Sequence, residues 1–121
     1  MARVVIAEDE EGLRGFVARA LTLDGHEVSA AADGAEALDL IAKNEGRFDL
    51  LLADIRMPVM DGIALALATA RDYPQMTILL MTGYADQRER AHGLDALIHD
   101  VISKPFTLAQ IRDAVNLALT G

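Results

Sequence analysis

Apolar residues along this chain alternate between short strand-like runs and longer stretches where they return every three or four positions. The runs are Val4–Ala7, Glu27–Ala31, Phe48–Ala53, Thr77–Met81 and Leu97–Ile102. Several are apolar on consecutive residues, as expected of strands covered on both faces. Between them, Leu13, Phe16, Val17, Ala20 and Leu21 keep the i, i+3, i+4, i+7, i+8 spacing of an amphipathic helix, and Leu108, Ile111, Val115 and Leu119 repeat it near the C-terminus. Ala35, Leu38 and Ile41 mark a helix that Gly46 ends. Asp61 is placed to cap a helix running through Ala70 and closed by Pro74, and Thr107 to cap the last helix. The uncharged "GIALALATA" after Asp61 reads as a well-buried helix, or as one that leaves Leu65 or Leu67 to a partner patch. By contrast "ADQRERAH", residues 85–92, has almost no apolar anchor and is expected to be the least stable helix and the easiest to move.

Five β-α units in succession call for an α/β fold: a five-stranded parallel sheet, doubly wound, with helices on both faces. In open sheets of this kind ligands bind at the carboxyl ends of the strands, where the strand order reverses. In the flavodoxin-like order 2-1-3-4-5, strands 1 and 3 lie side by side and flank that point.

Composition narrows the function. The 121 residues, about half of them hydrophobic (52%), suit one domain with one core across positions 1–121. Lys and Arg number 11 against 19 Asp and Glu, a formal charge of −8, and no basic run is long enough to neutralise a phosphate backbone. The acidity favours cations or basic partner surfaces instead. The lack of cysteine excludes disulfides, zinc-thiolate sites and thiol catalysis. The N-terminus lacks the length and flanks of a signal peptide, and no segment approaches ~20 continuous apolar residues, so a cytoplasmic protein is expected. His26, His92 and His99 form no metal-binding spacing and read as surface or turn residues.

The chemistry lies in what each strand delivers at its carboxyl end. Strand 1 ends in Glu8, Asp9 and Glu10; strand 3 in Asp54; strand 4 in Thr82-Gly83; strand 5 in Lys104-Pro105; strand 2 offers only alanines. Taken singly, each is ordinary. "EDE" would suit a solvated helix start, and Lys104 a surface turn. Together they bring acids, a hydroxyl and a lysine to one place, where like charges repel unless something relieves them. A Mg²⁺ ion would do so, since it takes one or two protein carboxylates, keeps waters and uses a phosphate for the rest. Lys104 and Thr82 would then serve the phosphate, and Asp54 is a candidate nucleophile, because carboxylates form aspartyl-phosphate intermediates.

The stretches "AEDE" at 7–10, "DIRMPVMDG" at 54–62, "MTGYA" at 81–85 and "SKPF" at 103–106 resemble the receiver domain of bacterial two-component response regulators, and the resemblance runs from Val4 to Leu119. It implies a CheY-like fold. It implies that Asp54 takes a phosphoryl group from a histidine kinase or histidine phosphotransferase, as a self-catalysed phosphoacceptor switch rather than an enzyme with a substrate of its own. Asp9, Asp54 and the main-chain carbonyl of Arg56 would ligate Mg²⁺, with Glu8 acting mostly through water. Thr82 and Lys104 would bind the phosphoryl oxygens, and Lys104-Pro105 would be a cis peptide. Within the family, "AEDE", "ADIRMPVMDGIALA" and "LLMTGYA" are similar to CpdR-type single-domain regulators, which act in the cell cycle on substrate delivery to the ClpXP protease.

Two features depart from the family's pattern. Receivers commonly carry Tyr or Phe three residues before the lysine; here that residue is Val101, and the nearby aromatic is Tyr84, two residues after Thr82. Tyr84 is therefore either the moving element of the switch or a shield over the site. Second, Gly121 falls directly after the fifth helix, so output is expected by protein contact alone, unless the chain is the receiver part of a larger regulator. Two other classes stay open. A haloacid-dehalogenase-type phosphatase also uses a strand-end Asp with Thr, Lys and Mg²⁺, but needs a general acid where this chain has Arg56. A flavodoxin-like cofactor binder needs a phosphate-cradling loop after strand 1, where this chain has "EDEEG".

Overall fold

The structure, a computed structural model, describes residues 2–120. Strands and helices alternate strictly: β1 (Arg3–Ala7), α1 (Glu11–Leu23), β2 (Glu27–Ala31), α2 (Gly34–Lys43), β3 (Leu50–Asp54), α3 (Gly62–Asp72), β4 (Thr77–Thr82), α4 (Ala85–His92), β5 (Asp100–Ser103) and α5 (Leu108–Thr120). The strands form one parallel sheet in the order β2-β1-β3-β4-β5. This is the doubly wound parallel architecture expected from the alternating pattern.

The consecutive apolar runs are explained by two cores, one on each face of the sheet. Successive strand residues point to opposite faces. On β3, Leu51 and Ala53 pack with Ala37, Ile41, Leu65 and Ala66 of α2 and α3. Leu50 and Leu52 pack with Val17 and Leu21 of α1 and Ile111 and Val115 of α5. Burying each leucine contributes roughly 1.5–3 kcal/mol relative to exposure, so β3 is firmly anchored on both faces, and Asp54 is its last residue. β5, at the sheet's edge, has no fully buried residue.

Helix starts follow the polar signals. Asp33 and Asp61 cap α2 and α3, accepting from the backbone N–H of Glu36 and of Ala64, each at 2.8 Å. At α5, Thr107 and Gln110 form a reciprocal box: Gln110 N–H donates to Thr107 Oγ1 (3.1 Å) and Thr107 N–H to Gln110 Oε1 (2.8 Å). Two strands start later than the apolar runs suggest. β3 begins at Leu50 because Phe48 is held in the preceding turn, its N–H donating to the Gly46 carbonyl. β5 begins at Asp100 because Leu97 N–H donates back to the Leu94 carbonyl in a turn that leaves Leu97 exposed. Apolar character drew both residues into the strand pattern, but local turn bonds claim their backbones. In α3, Leu65 is fully buried and Leu67 is half-exposed. No helix among the described residues is long and apolar enough to cross a membrane.

Candidate phosphoacceptor and metal site

The site is assembled at the carboxyl edge of β1, β3, β4 and β5. Of the three acids after β1, Glu10 is spent on the helix: its carboxylate caps α1, accepting from Gly12 N–H (2.9 Å) and Leu13 N–H (2.8 Å). Glu8 and Asp9 remain for chemistry. Arg14, one turn into α1, donates to the Glu8 carbonyl at 2.9 Å and so holds the loop in place. One carboxylate oxygen each from Glu8, Asp9 and Asp54 lies within 4.8 Å of the others, with Glu8 and Asp54 buried and Asp9 exposed. An all-oxygen cluster of that size, with an exposed member on the solvent side, has the donor set of a hard divalent cation.

Lys104 stands against the two buried acids. Its Nζ lies 2.7 Å from Glu8 Oε1 and 3.2 Å from Asp54 Oδ1. The peptide that follows it, Lys104-Pro105, is cis. Burial pushes the Asp54 carboxyl above its ordinary value, and the nearby Asp9 charge adds to this while Lys104 opposes it. Glu8 is also raised, first by burial, against the hydrogen bonds from Lys104 and Glu10 N–H. For Lys104, burial opposes the charge, but the hydrogen bond to Glu8 and the attraction of both acids outweigh it, so its pKa is raised. One ammonium therefore faces three carboxylates, and the balance is short of positive charge.

The backbone around Asp54 is tightly fitted. Ile55 N–H donates to the Met81 carbonyl, and Gly62 N–H returns to the Ile55 carbonyl at 2.8 Å, closing the loop between β3 and α3. A Cβ on Gly62 would run into the Asp54 carbonyl, so only glycine lets α3 begin so close to the strand end. Within this loop Val59 has φ +69°, and Met60 N–H donates to the Pro58 carbonyl at 2.7 Å, a strained γ-turn for a β-branched residue. Arg56 lies on the solvent side, its guanidinium 4.9 Å from the centre of the Tyr84 ring. These two side chains, with Leu13, Gly83, Pro105 and Phe106, line the mouth of a cleft of about 730 Å³ over the acids.

Thr82 is placed differently. It is 2% exposed and does not line that cleft. Its hydroxyl accepts from Tyr84 N–H (3.1 Å) and faces two acceptors, Gln87 Oε1 at 3.2 Å and the Tyr84 carbonyl at 3.3 Å. Val101 is partly buried, and its carbonyl accepts from Arg88 Nη1, which also donates to Ser103 Oγ. The structure thus brings together Glu8, Asp9, Asp54 and Lys104 with Arg56 at the rim. It keeps Thr82 beside them with its hydroxyl engaged by α4. Sequence reasoning passed over Glu10 as a cap, Arg14, Gln87 and Arg88. The spacing of Glu10 before α1 was a readable signal for the first; the others depend on contacts between elements.

With this fold and this edge of acids and lysine, the chain belongs to the response regulator receiver domain family, whose family model matches residues 4–116. Among curated proteins it is 36% identical over 109 residues to the response regulator MprA of a Mycobacterium species (strain KMS), a match covering 90% of this chain and 46% of that protein. The chain spans about half the length of the curated relatives it matches. Among solved structures it is similar to the chemotaxis response regulator CheY4 of Vibrio cholerae, at 30% identity and TM-score 0.86, covering 98% of this chain and 99% of that one. It is also similar to the response regulator TrrA of Thermotoga maritima, solved in complex with Mg(2+)-BeF, at 26% identity and TM-score 0.85, covering 98% of this chain and 100% of that one.

Proposed function

We propose that this receiver domain is a Mg²⁺-dependent phosphoacceptor with Asp54 as the accepting group. The observation that carries the reading is the meeting of Glu8, Asp9 and Asp54 around one point with Lys104 reaching two of them. Asp9 and Asp54, with the Arg56 carbonyl, are the proposed direct ligands, and Glu8 acts mainly through water. The ion supplies the positive charge that three carboxylates and an incoming phosphoryl group require. The TrrA complex, which holds Mg(2+)-BeF in the same fold, supports this choice of metal.

The donor is a phosphohistidine of a histidine kinase or histidine phosphotransferase. An Asp54 carboxylate oxygen forms the new O–P bond, the N–P bond of the donor breaks, and the imidazole leaves with a proton from solvent. Lys104 exchanges its contact with Asp54 for a phosphoryl oxygen, and Thr82 donates to another. Water later hydrolyses the acyl phosphate, releasing inorganic phosphate and restoring the Asp54 carboxylate. Arg56 and Tyr84, stacked at the mouth of the cleft, limit that water's access, so we assign Tyr84 to shielding. Val101 leaves β5 without an aromatic ring to follow Thr82. A phosphatase reading gains no support, because the residue two after Asp54 brings a guanidinium bound to a ring, not an acid.

The output is a change in protein contacts. The resemblance of three motif stretches to CpdR-type regulators supports contact with the ClpXP protease. The match to about half of MprA supports a receiver acting on further domains of a longer regulator. Phosphorylation-dependent binding to purified ClpX tests the first of these outputs.

With a small acyl phosphate and Mg²⁺, the intact mass should rise by one phosphoryl group. The rise should vanish with a chelator and in Asp54→Asn. A mass shift that survives in Asp54→Asn removes Asp54 from the role.

A further inference from the structure

Polar bonds, not a buried face, fasten α4 to the rest of the molecule. Of its residues only Ala91 is buried, yet side chains of this helix reach three other elements. Arg90 Nη2 lies 3.5 Å from Asp61 Oδ2 at the start of α3. Arg88 Nη1 donates to Ser103 Oγ (2.7 Å) and to the Val101 carbonyl (3.2 Å) on β5. Gln87 Oε1 lies 3.2 Å from the Thr82 hydroxyl. Among these tethers, the last alone ends on a residue of the phosphoacceptor site.

A threonine hydroxyl has one proton to give. Tyr84 N–H already donates to Thr82 Oγ1, so the hydroxyl proton is available to Gln87 Oε1 or to the slightly more distant Tyr84 carbonyl. A phosphoryl group on Asp54 presents charged acceptors. A charge-assisted hydrogen bond is roughly twice as strong as a neutral one. Thr82 can serve such an acceptor only by turning its proton away from the α4 side, where Gln87 Oε1 is the nearer of its two acceptors.

We infer that Gln87 is the positioning residue that couples the state of Asp54 to α4. Its amide carbonyl holds the Thr82 hydroxyl toward the helix in the unphosphorylated protein and loses it when the hydroxyl turns to a phosphoryl oxygen. α4 is then left with the tethers of Arg88 and Arg90 and one buried alanine, and it loosens. Neither Tyr84 nor a ring at Val101 is needed for this transfer. The inference rests on Asp54 being the phosphoacceptor.

The test uses the whole chain with Mg²⁺ and beryllofluoride as the phosphoryl mimic. Fluorine NMR reports loading, and amide hydrogen exchange reports residues 85–92. In the wild type, loading should speed exchange in 85–92 by about fivefold, the loss of one net hydrogen bond. Gln87→Leu should load, exchange rapidly before loading, and change less than about twofold on loading. Gln87→Glu keeps an acceptor for Thr82 but sets a carboxylate against the incoming charge. It should exchange slowly when unloaded and bind beryllofluoride several-fold, on the order of tenfold, more weakly. A wild-type exchange response in Gln87→Leu overturns the inference, as does wild-type loading of Gln87→Glu. Loading of the wild type with no change in 85–92 also defeats the inference while the Asp54 reading stands. A wild type that takes no beryllofluoride fails the Asp54 reading itself, and the inference falls with it.

Discussion

A buried carboxylate such as Asp54 is costly to keep ionised, and the direction of its pKa shift says who bears the cost. Because its folded pKa is raised, chiefly by burial, the ionised form is less favourable in the folded protein than in the unfolded chain. The cost is absent below the unfolded value, grows as pH rises toward the folded one, and is complete only above it. Asp54→Asn should therefore raise the melting temperature of the metal-free protein at pH 7, by ~2–5 °C. Thermal unfolding should show that advantage shrinking as pH falls into the carboxylate range; a variant no more stable than the parent at pH 7 contradicts the account. Val59 poses a different residue-scale problem. It is 84% exposed and held at φ +69°. Val59→Gly relieves the strained turn at some cost in unfolded-chain entropy, and denaturant unfolding should show a net gain of about 1 kcal/mol.

At the scale of elements, the site is built from parts of unequal firmness. β1, β3 and β4 are interior strands whose side chains feed both cores. α4 offers one buried alanine and lacks a side-chain cap at its start. Local opening should follow that order. Native-state amide exchange of the unloaded protein should find 85–92 among the fastest helical amides and β1 and β3 the slowest. Protection in α4 equal to that in α1 or α5 would show that its polar tethers hold better than proposed. The firm strands fix Asp54 and the acid pair, and the loose helix is free to report on them.

Over the whole molecule, Lys104 ties the last strand of the sheet to the first and the third through Glu8 and Asp54. Lys104→Ala leaves two buried acids and Asp9 without a cation. Removing one partner of a fully buried ion pair costs about 3–5 kcal/mol. The Lys104 side chain is 21% exposed, so the loss here should be nearer ~2 kcal/mol. Mg²⁺ should restore part of it, because a dication at the acids answers the same shortage of positive charge. Urea unfolding with and without Mg²⁺ checks this: a variant destabilised equally in both conditions would mean that the metal does not sit among these acids. The formal charge of −8 makes the rescue weaker at high ionic strength.

Much of this was legible in the chain itself. Short apolar runs between helical periods define a doubly wound sheet, because strands covered on both faces need apolar residues at consecutive positions. Strand ends are also a one-dimensional feature, so Glu8, Asp9, Asp54, Thr82 and Lys104 were found where the runs stop. What the tertiary structure decided is which way these groups turn and what they touch. Glu10 had the same composition signal as Glu8 and Asp9, but the helix start claims it. Phe48 and Leu97 looked like strand residues until backbone bonds in turns took them. In the unphosphorylated protein Thr82 directs its hydroxyl at Gln87, five residues on and across a loop whose path only the packing of α4 defines. Patterns of apolarity specify elements because burial depends on side-chain type. Hydrogen bonds between elements depend on distances of a few tenths of an ångström, which emerge only once both cores have closed.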